Sequence, residues 1–143
     1  MNDHNPQIAY PASLGRRLGA MLYDSLLLLA IWFISIGLSN LALQQTSPPW
    51  LVQSIVLVEW YLFFAYFWSH GGQTAGMRAW RIKVVAPNGE IVNLATATLR
   101  FFCAVPSIIS LIGLLWIFYD RENRSWHDLW SKSVVVHMPK TSN

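Results

Sequence analysis

Charge is what this sequence has least of. Only 12% of its 143 residues are Asp, Glu, Lys or Arg, against roughly 25% in an ordinary soluble domain. With hydrophobic residues at 54%, that charge is too sparse to solvate the surface of a water-soluble fold. Lys and Arg are absent from Leu18 to Met77, and those present elsewhere sit in segments flanking apolar runs. Despite a net charge of +3, this distribution suits lipid headgroups and membrane topology better than nucleic acid. Cysteine is nearly missing as well. Cys103 stands alone, which excludes a disulfide framework and a zinc cluster, and it reads as a small packing residue. The histidines, His4, His70, His127 and His137, show no paired helical spacing, so neither a metal nor a cofactor is expected. The phosphate-loop spacing G-x-x-x-x-G-K-[ST] is absent, as is any internal repeat of the kind alternating-access transporters use. The length suffices for one domain and not two.

What the sequence does have is long apolar runs. From Leu18 to Leu43 nothing is charged except Asp24. A helix there spans roughly 39 Å at 1.5 Å per residue, more than the roughly 30 Å of bilayer hydrocarbon. The run far exceeds a signal-peptide core of roughly 7–15 residues, and no small-x-small cleavage site follows, so it reads as a retained membrane helix. Leu51 to Trp68, with Gln53 and Glu59, is just long enough to cross back. The intervening loop, Gln44 to Trp50, carries Pro48 and Pro49 and no charge. Arg16 and Arg17 precede the first run; Arg78, Arg81 and Lys83 follow the second. By the positive-inside rule the N-terminus is cytoplasmic and the loop lies outside. The abundant aromatics, 8 Trp, 5 Tyr and 7 Phe, fit the membrane–water interfaces.

The rest of the chain reads as follows. Residues 1–13 form a flexible polar lead in which Ser13 is placed to cap the first helix. After the Gly-rich stretch Ser69 to Arg78, the alternation from Trp80 and the turn at Asn88-Gly89 predict a β-hairpin over about 80–93. A third apolar segment, Phe101 to Tyr119, belongs to a helix over about 95–119. A full crossing would put Arg121, Arg124, Lys132 and Lys140 outside, against the charge rule, and Pro106 and Gly113 interrupt the run. A re-entrant hairpin dipping in from the cytoplasmic face is therefore favoured, with protein around its irregular backbone. A strand over about 133–137 is expected to pair with Ile82–Val85, and 138–143 is a tail. The fold class is thus an all-α integral membrane protein. It has two transmembrane helices (about 18–43 and 51–68), a third hydrophobic helix or re-entrant hairpin, and a small cytoplasmic β element, all within one membrane domain over 14–137.

Several polar residues stand out against this background. Asp24 lies about 9 Å inside the first helix, and Glu59 roughly 15 Å from the cytoplasmic end of the second. Both are costly at those depths and need partners. Antiparallel helices would bring the two within one cavity. Arg17 precedes Asp24 by two turns on the same helix face. Arg17 with Asp24 is then a structural clamp, whose loss would cost about 3–5 kcal/mol by leaving a buried charge unpaired. Alternatively, Asp24 and Glu59 form an ion or proton site. In the loop Gly72-Gln73-Thr74-Ala75-Gly76, the glycines allow a tight turn while Gln73 and Thr74 satisfy freed backbone groups. His127-Asp128 reads as an interfacial anchor, with Trp126 and Trp130 at headgroup depth and Asp128 tied to an arginine such as Arg17 or Arg100. Ser35, Ser39, Ser107 and Ser110 lie in apolar runs and are expected to bond their own helices. No nucleophile–base constellation is visible, so no enzyme is expected.

In order along the chain, these landmarks resemble the RDD family, small multi-pass membrane proteins named for one arginine and two aspartates. Arg17-Leu18-Gly19-Ala20 followed by Asp24 is similar to the family's R-x-x-A-x-x-x-D. Gly72 to Gly76 is similar to its G-Q-T-x-G element, followed by Arg78 and the Val84-Val85 strand. Leu99-Arg100 resembles a Leu-Arg pair, and Trp126-His127-Asp128-Leu129 the terminal W-H-D-L. The sequence departs from the pattern at Met77, where a lysine is usual, and at Ser131-Lys132-Ser133, which replaces Ala-Gly-Thr. The resemblance implies an inner-membrane protein of bacterial type whose core is an Arg17–Asp24–Asp128 network. Two functional readings follow. One is an interaction or scaffold module that binds another membrane protein. The other is a subunit of a homo-oligomeric transporter, with cation/proton exchange at Asp24 and Glu59.

Overall fold

In the computed structural model the described residues are 10–110, 112–121 and 124–138. Two long helices dominate. α1 (Leu14–Leu43) has 30 residues and α2 (Pro49–His70) has 22, or roughly 45 and 33 Å of rise. Gln44 ends α1 in the left-handed conformation (φ 54°). The short connection is tied by the Ser47 N–H donating to Asn40 Oδ1 at 2.7 Å and by a 2.7 Å bond between the hydroxyls of Ser39 and Ser47. Pro49 opens α2 at a position where its missing N–H costs nothing. Both helices are long and apolar enough to cross a membrane. Their apolar side chains are largely uncovered, with Phe33 83% and Leu41 74% exposed, which separates them from the core helices of a soluble protein.

The other described residues gather toward one end of this pair. A three-stranded antiparallel sheet, in the order β1-β3-β2, joins Tyr10–Pro11 (β1), Ile82–Val85 (β2) and Val134–His137 (β3). β3 is central, pairing Val136 with Pro11 on one side and with Lys83 on the other. The short helix α3 (Ala75–Ala79) packs on the first turns of α1. α4 (Leu94–Ile109) packs on α2 through Trp60, Tyr61, Phe64 and Phe101, and through a 2.9 Å bond between the hydroxyls of Tyr61 and Thr98. After Ser110 the chain turns. α5 (Ile112–Leu115) and a 3-10 turn (Trp116–Phe118) follow, and Gly113 sits so close to Ser107 that a side chain there would overlap it. α6 (Trp126–Trp130) then leads into β3. The buried core, including Ala12, Trp68, Met77, Ile82, Val84, Val92, Phe101 and Val135, lies between the sheet and the helices.

Four expectations are corrected. The lead is not uniformly flexible: Tyr10–Pro11 forms a strand and Ala12 is fully buried, its N–H donating to Val135 O at 2.9 Å. Residues 1–9 and 139–143, the remainder of the lead and most of the tail, lie outside the described residues. Ser13 occupies the N-cap without a side-chain capping bond. The Asn88-Gly89 turn forms, with Gly89 at φ 83° and Ala86 N–H donating to Glu90 O at 2.8 Å, but Ile91–Val92 is not a return strand. The free edge of β2 is already occupied by the preceding loop, through Val84 N–H to Gly72 O at 2.7 Å and Gln73 Nε2 to Ile82 O at 2.8 Å. Finally, no single helix runs over 95–119. Pro106 is carried inside α4, and the break falls at Ser110.

Candidate functional site

The signature residues assemble into two adjoining polar clusters at the sheet end of α1. The first is centred on Asp128, which is 1% exposed. Its Oδ2 accepts from Arg17 Nη1, from the Ser125 N–H at 3.0 Å and from Ser125 Oγ at 2.9 Å. Its Oδ1 pairs with Arg100 Nη1 at 2.6 Å. Arg17 Nε also donates to Ala12 O at 3.2 Å, which ties the strand before α1 into the same cluster. Arg100 donates to Ser133 Oγ at 2.5 Å, and its guanidinium lies 5.2 Å over the Trp68 ring. One carboxylate thus fastens α1, α4 and α6. Charge-assisted bonds of this kind are stronger than neutral ones, and buried pairs cannot be exchanged for water.

Burial alone would raise the Asp128 carboxyl. The Arg100 and Arg17 guanidiniums outweigh it and hold the group well below the usual carboxylate range, so it is ionised. His127 goes the other way. Burial, aided by the nearby Arg100 charge, pushes it down to about 3 from its ordinary 6.5, so the imidazole is neutral. Its Nε2 lies 3.0 Å from Ser125 Oγ and its Nδ1 3.1 Å from Ser107 Oγ. This joins the C-terminal segment to the far end of α4.

The second cluster is centred on Asp24, which is 2% exposed. Thr74 Oγ1 donates to Oδ2 at 2.5 Å and the Gly76 N–H to Oδ1 at 2.8 Å. Thr74 simultaneously caps α3, accepting from the Met77 N–H at 3.2 Å. A side chain on Gly76 would overlap the Ala20 carbonyl, so only glycine lets the α3 backbone approach α1 this closely. Gly72 takes φ 69° and lies against Val84 O, a second position that requires glycine.

The expected Arg17–Asp24–Asp128 network is therefore split. Arg17 and Asp128 meet; Asp24 bonds Thr74 and Gly76 instead. Seven residues separate Arg17 from Asp24, about 10 Å along the helix. The arginine extends toward the N-terminal end, as helical side chains do, and reaches α6 rather than the next turns down. Glu59 is placed elsewhere again: its Oε1 accepts from Ser35 Oγ at 2.6 Å. Ser35 lies eleven residues beyond Asp24, about 16 Å along α1, and Glu59 does not line the cavity that Asp24 borders. Trp126, beside His127, contacts Trp116 and Trp130 at ring separations of 5.9 and 5.7 Å. Among the described residues no group of three or more His, Cys, Asp or Glu could hold a metal ion.

Serines are what sequence reasoning missed. Ser125 and Ser133 supply hydroxyls to the Asp128 cluster. Ser107, expected to bond its own helix, faces His127, and Ser39 bonds Ser47 across the loop. For Ser125 a signal was present: Ser125-x-x-Asp128 is the spacing at which a third-position carboxylate reaches back to the N-cap backbone.

The RDD family model matches residues 11–132, and the chain belongs to that family. No curated protein and no solved structure matches it. The matched region contains both clusters except Ser133, which lies just beyond it.

Proposed function

We propose that this RDD-family membrane protein is an interaction or scaffold module, not an enzyme, whose signature residues lock one rigid arrangement that it presents to another membrane protein. The observation that carries this reading is how completely the signature carboxylates are used within the chain. Both oxygens of Asp24 accept hydrogen bonds from Thr74 and Gly76, Asp128 Oδ2 accepts from Arg17 and Ser125, and Asp128 Oδ1 is held by its ion pair with Arg100, without a hydrogen bond among the described residues. Groups so occupied are fasteners. A proton- or cation-exchanging carboxylate needs an oxygen that can change partners, and the placement of Glu59 away from Asp24 supports the scaffold reading over a shared two-carboxylate site. The uncovered apolar faces of α1 and α2 supply area for lipid and for a partner's helices.

In this reading the protein sits in a bacterial inner membrane with its N-terminus, sheet and C-terminus cytoplasmic, as the positive-inside rule directs. The segment from α4 to the 3-10 turn is re-entrant. In support, α4 has 16 residues, about 24 Å of rise against roughly 30 Å of hydrocarbon. The chain also leaves the sheet at β2 and rejoins it at β3, on one end of the α1–α2 pair.

The test is a native-mass determination after extraction in a lipid-retaining polymer. A stoichiometric second membrane protein, lost in Asp128→Ala but retained in Glu59→Gln, is the expected result. A homo-oligomer without a partner that carries pH-linked sodium or potassium flux in proteoliposomes, abolished by Glu59→Gln, would overturn the reading in favour of transport.

A further inference from the structure

Arg17 and Arg100 meet Asp128, and Arg124 meets Asp120. Arg16, Arg78, Arg81 and Lys83 meet no carboxylate among the described residues. The other described carboxylates lie elsewhere: Asp24 on Thr74 and Gly76, Glu59 on Ser35, and Glu90 in the turn beyond β2, where it bonds Asn88. The four cations nevertheless stand together. Arg16 Nη1 donates to Trp80 O at 3.1 Å, and Arg81 is next in the chain. Arg78 extends toward Gly71, where α2 ends, and the stem of Lys83 crosses Gly72. Arg78 and Arg81 are exposed, and neither side chain makes a hydrogen bond among the described residues. Arg81 is also held at φ 53°, in the left-handed region that favours Gly or Asn. A strained position occupied by an unpaired cation points to a role outside the fold.

These charges border the membrane entry of both long helices. The Trp80 ring lies against Gly19, in the second turn of α1 and about 8 Å from its start. α1 exceeds the roughly 30 Å of bilayer hydrocarbon by about 15 Å. That surplus falls at this end, because the other end is closed by the short uncharged loop to α2. Trp80, 37% exposed, therefore stands at headgroup depth, where an amphipathic ring is most stable. Like charges at this spacing repel one another, and an anionic layer around them removes that repulsion.

We propose that Arg16, Arg78, Arg81 and Lys83, with Trp80, form a docking patch for anionic phospholipid headgroups in the leaflet where α1 begins and α2 ends. Each cation close to a negative membrane surface strengthens binding by about fivefold. An acidic segment of a partner carries the same complementary charge. At this depth, however, it would have to displace headgroups that already surround the helices. The inference rests on the membrane placement proposed above and is independent of the partner's identity.

The experiment uses the full chain purified in mild detergent and titrated with dioctanoyl phosphatidylglycerol or dioctanoyl phosphatidylcholine, with binding read by microscale thermophoresis. The anionic lipid should bind at least about tenfold more tightly. That advantage should collapse at about 1 M salt, where the screening length is about 3 Å. Inorganic phosphate at equal concentration should not displace the lipid. Arg78→Gln combined with Arg81→Asn removes two charges, and asparagine suits the left-handed backbone. The thermal midpoint should therefore hold or rise while the anionic preference falls by about tenfold or more. Lys83→Gln, with a fall of about fivefold, serves if the double variant does not fold. A wild type without the preference, a folded variant that keeps all of it, or equal displacement by inorganic phosphate would overturn the patch. So would a double variant that keeps the preference but loses a co-purifying membrane protein, which would assign the cations to a partner's acidic segment. Alkaline carbonate extraction reports membrane insertion separately. A chain that stays with the membrane but shows no anionic preference refutes the patch alone, and a chain released to the aqueous fraction refutes the membrane placement itself.

Discussion

Gly76 donates its backbone N–H to Asp24 Oδ1 at 2.8 Å from a position where any side chain would overlap the Ala20 carbonyl. The glycine and the aspartate are therefore one device. The missing side chain brings the α3 backbone within reach of a carboxylate on α1, and the carboxylate supplies the acceptor that the first turn of α3 needs. Thr74, two residues earlier, closes the same arrangement by bonding Asp24 and capping α3 with one hydroxyl.

Gly76→Ala should consequently behave like a loss of Asp24. Overpacking against backbone costs about 1–3 kcal/mol, and the displaced N–H leaves a carboxylate oxygen short of a partner. Thr74→Val, which keeps the shape and removes the hydroxyl, should cost about 1–3 kcal/mol. Thermal unfolding of both variants and of the double variant in detergent is the check. Sub-additive losses are expected, because either change disrupts the same cluster. Full additivity would mean that the two contacts act separately.

At the neighbouring cluster, Asp128→Ala leaves Arg17 and Arg100 without the carboxylate they share. Removing one partner of a buried ionic group costs about 3–5 kcal/mol, so a large drop in folded protein is expected. Asp128→Asn should be milder but still destabilising, since an amide keeps one acceptor and loses the charge. Arg17→Lys should not rescue the pair. An ammonium cannot reach Ala12 O, Ser125 and Asp128 with the fixed fork of a guanidinium. Expression level and melting temperature across these three variants decide the point, and an Arg17→Lys protein as stable as wild type would show that the fork geometry is dispensable.

How far the sequence discloses all this varies by element, for physical reasons. α1 and α2 are legible because an apolar run of membrane length has few other meanings. The meeting of Asp128 with Arg17 and Arg100 is accessible through the motifs, since a buried carboxylate demands a cation. The partner of Asp24 is not. Helical spacing puts Arg17 and Asp24 on one face, but it carries no information about which loop will arrive beside them, and the Thr74–Gly76 turn arrives from fifty residues away. The hairpin over 80–93 fails for a similar reason. Its turn residues are correct locally, but the edge its second strand would use is taken by Gly72 and Gln73. Tyr10–Pro11 is a two-residue strand in a Pro-containing polar lead, too short to show any alternation.

His127 makes stability depend on pH, and the sign follows from its depressed value. Unfolded, the imidazole titrates near 6.5; folded, it stays neutral down to about 3. Between those values the unfolded state binds the extra proton, so stability is full above about pH 6.5 and falls as the pH drops toward 3. The slope should approach about 1.4 kcal/mol per pH unit below the unfolded value. Asp128, also depressed, adds a further loss once the pH passes below the ordinary carboxylate range. Melting temperatures from pH 7.5 to 4 should show the decline, and His127→Gln should flatten it between pH 6.5 and 4. A wild-type profile that is already flat there would mean that the imidazole is protonated within the fold.

Glu59 is the residue on which scaffold and transporter part most sharply. Its Oε1 accepts from Ser35 Oγ at 2.6 Å, while its Oε2 is buried without a hydrogen-bond partner among the described residues. Glu59→Gln preserves the acceptor toward Ser35 and replaces the unpartnered oxygen with an amide of nearly the same shape. In a scaffold this is a local adjustment, with a stability change under about 1 kcal/mol and unchanged partner recovery. In a transporter that moves protons or cations through this carboxyl, the variant would fold and assemble normally and yet be inactive. Measuring melting temperature, partner recovery and proteoliposome flux on one preparation separates the two. Unchanged partner recovery with no wild-type flux to lose is the outcome that the hydrogen-bonded Asp24 and the ion-paired Asp128 predict.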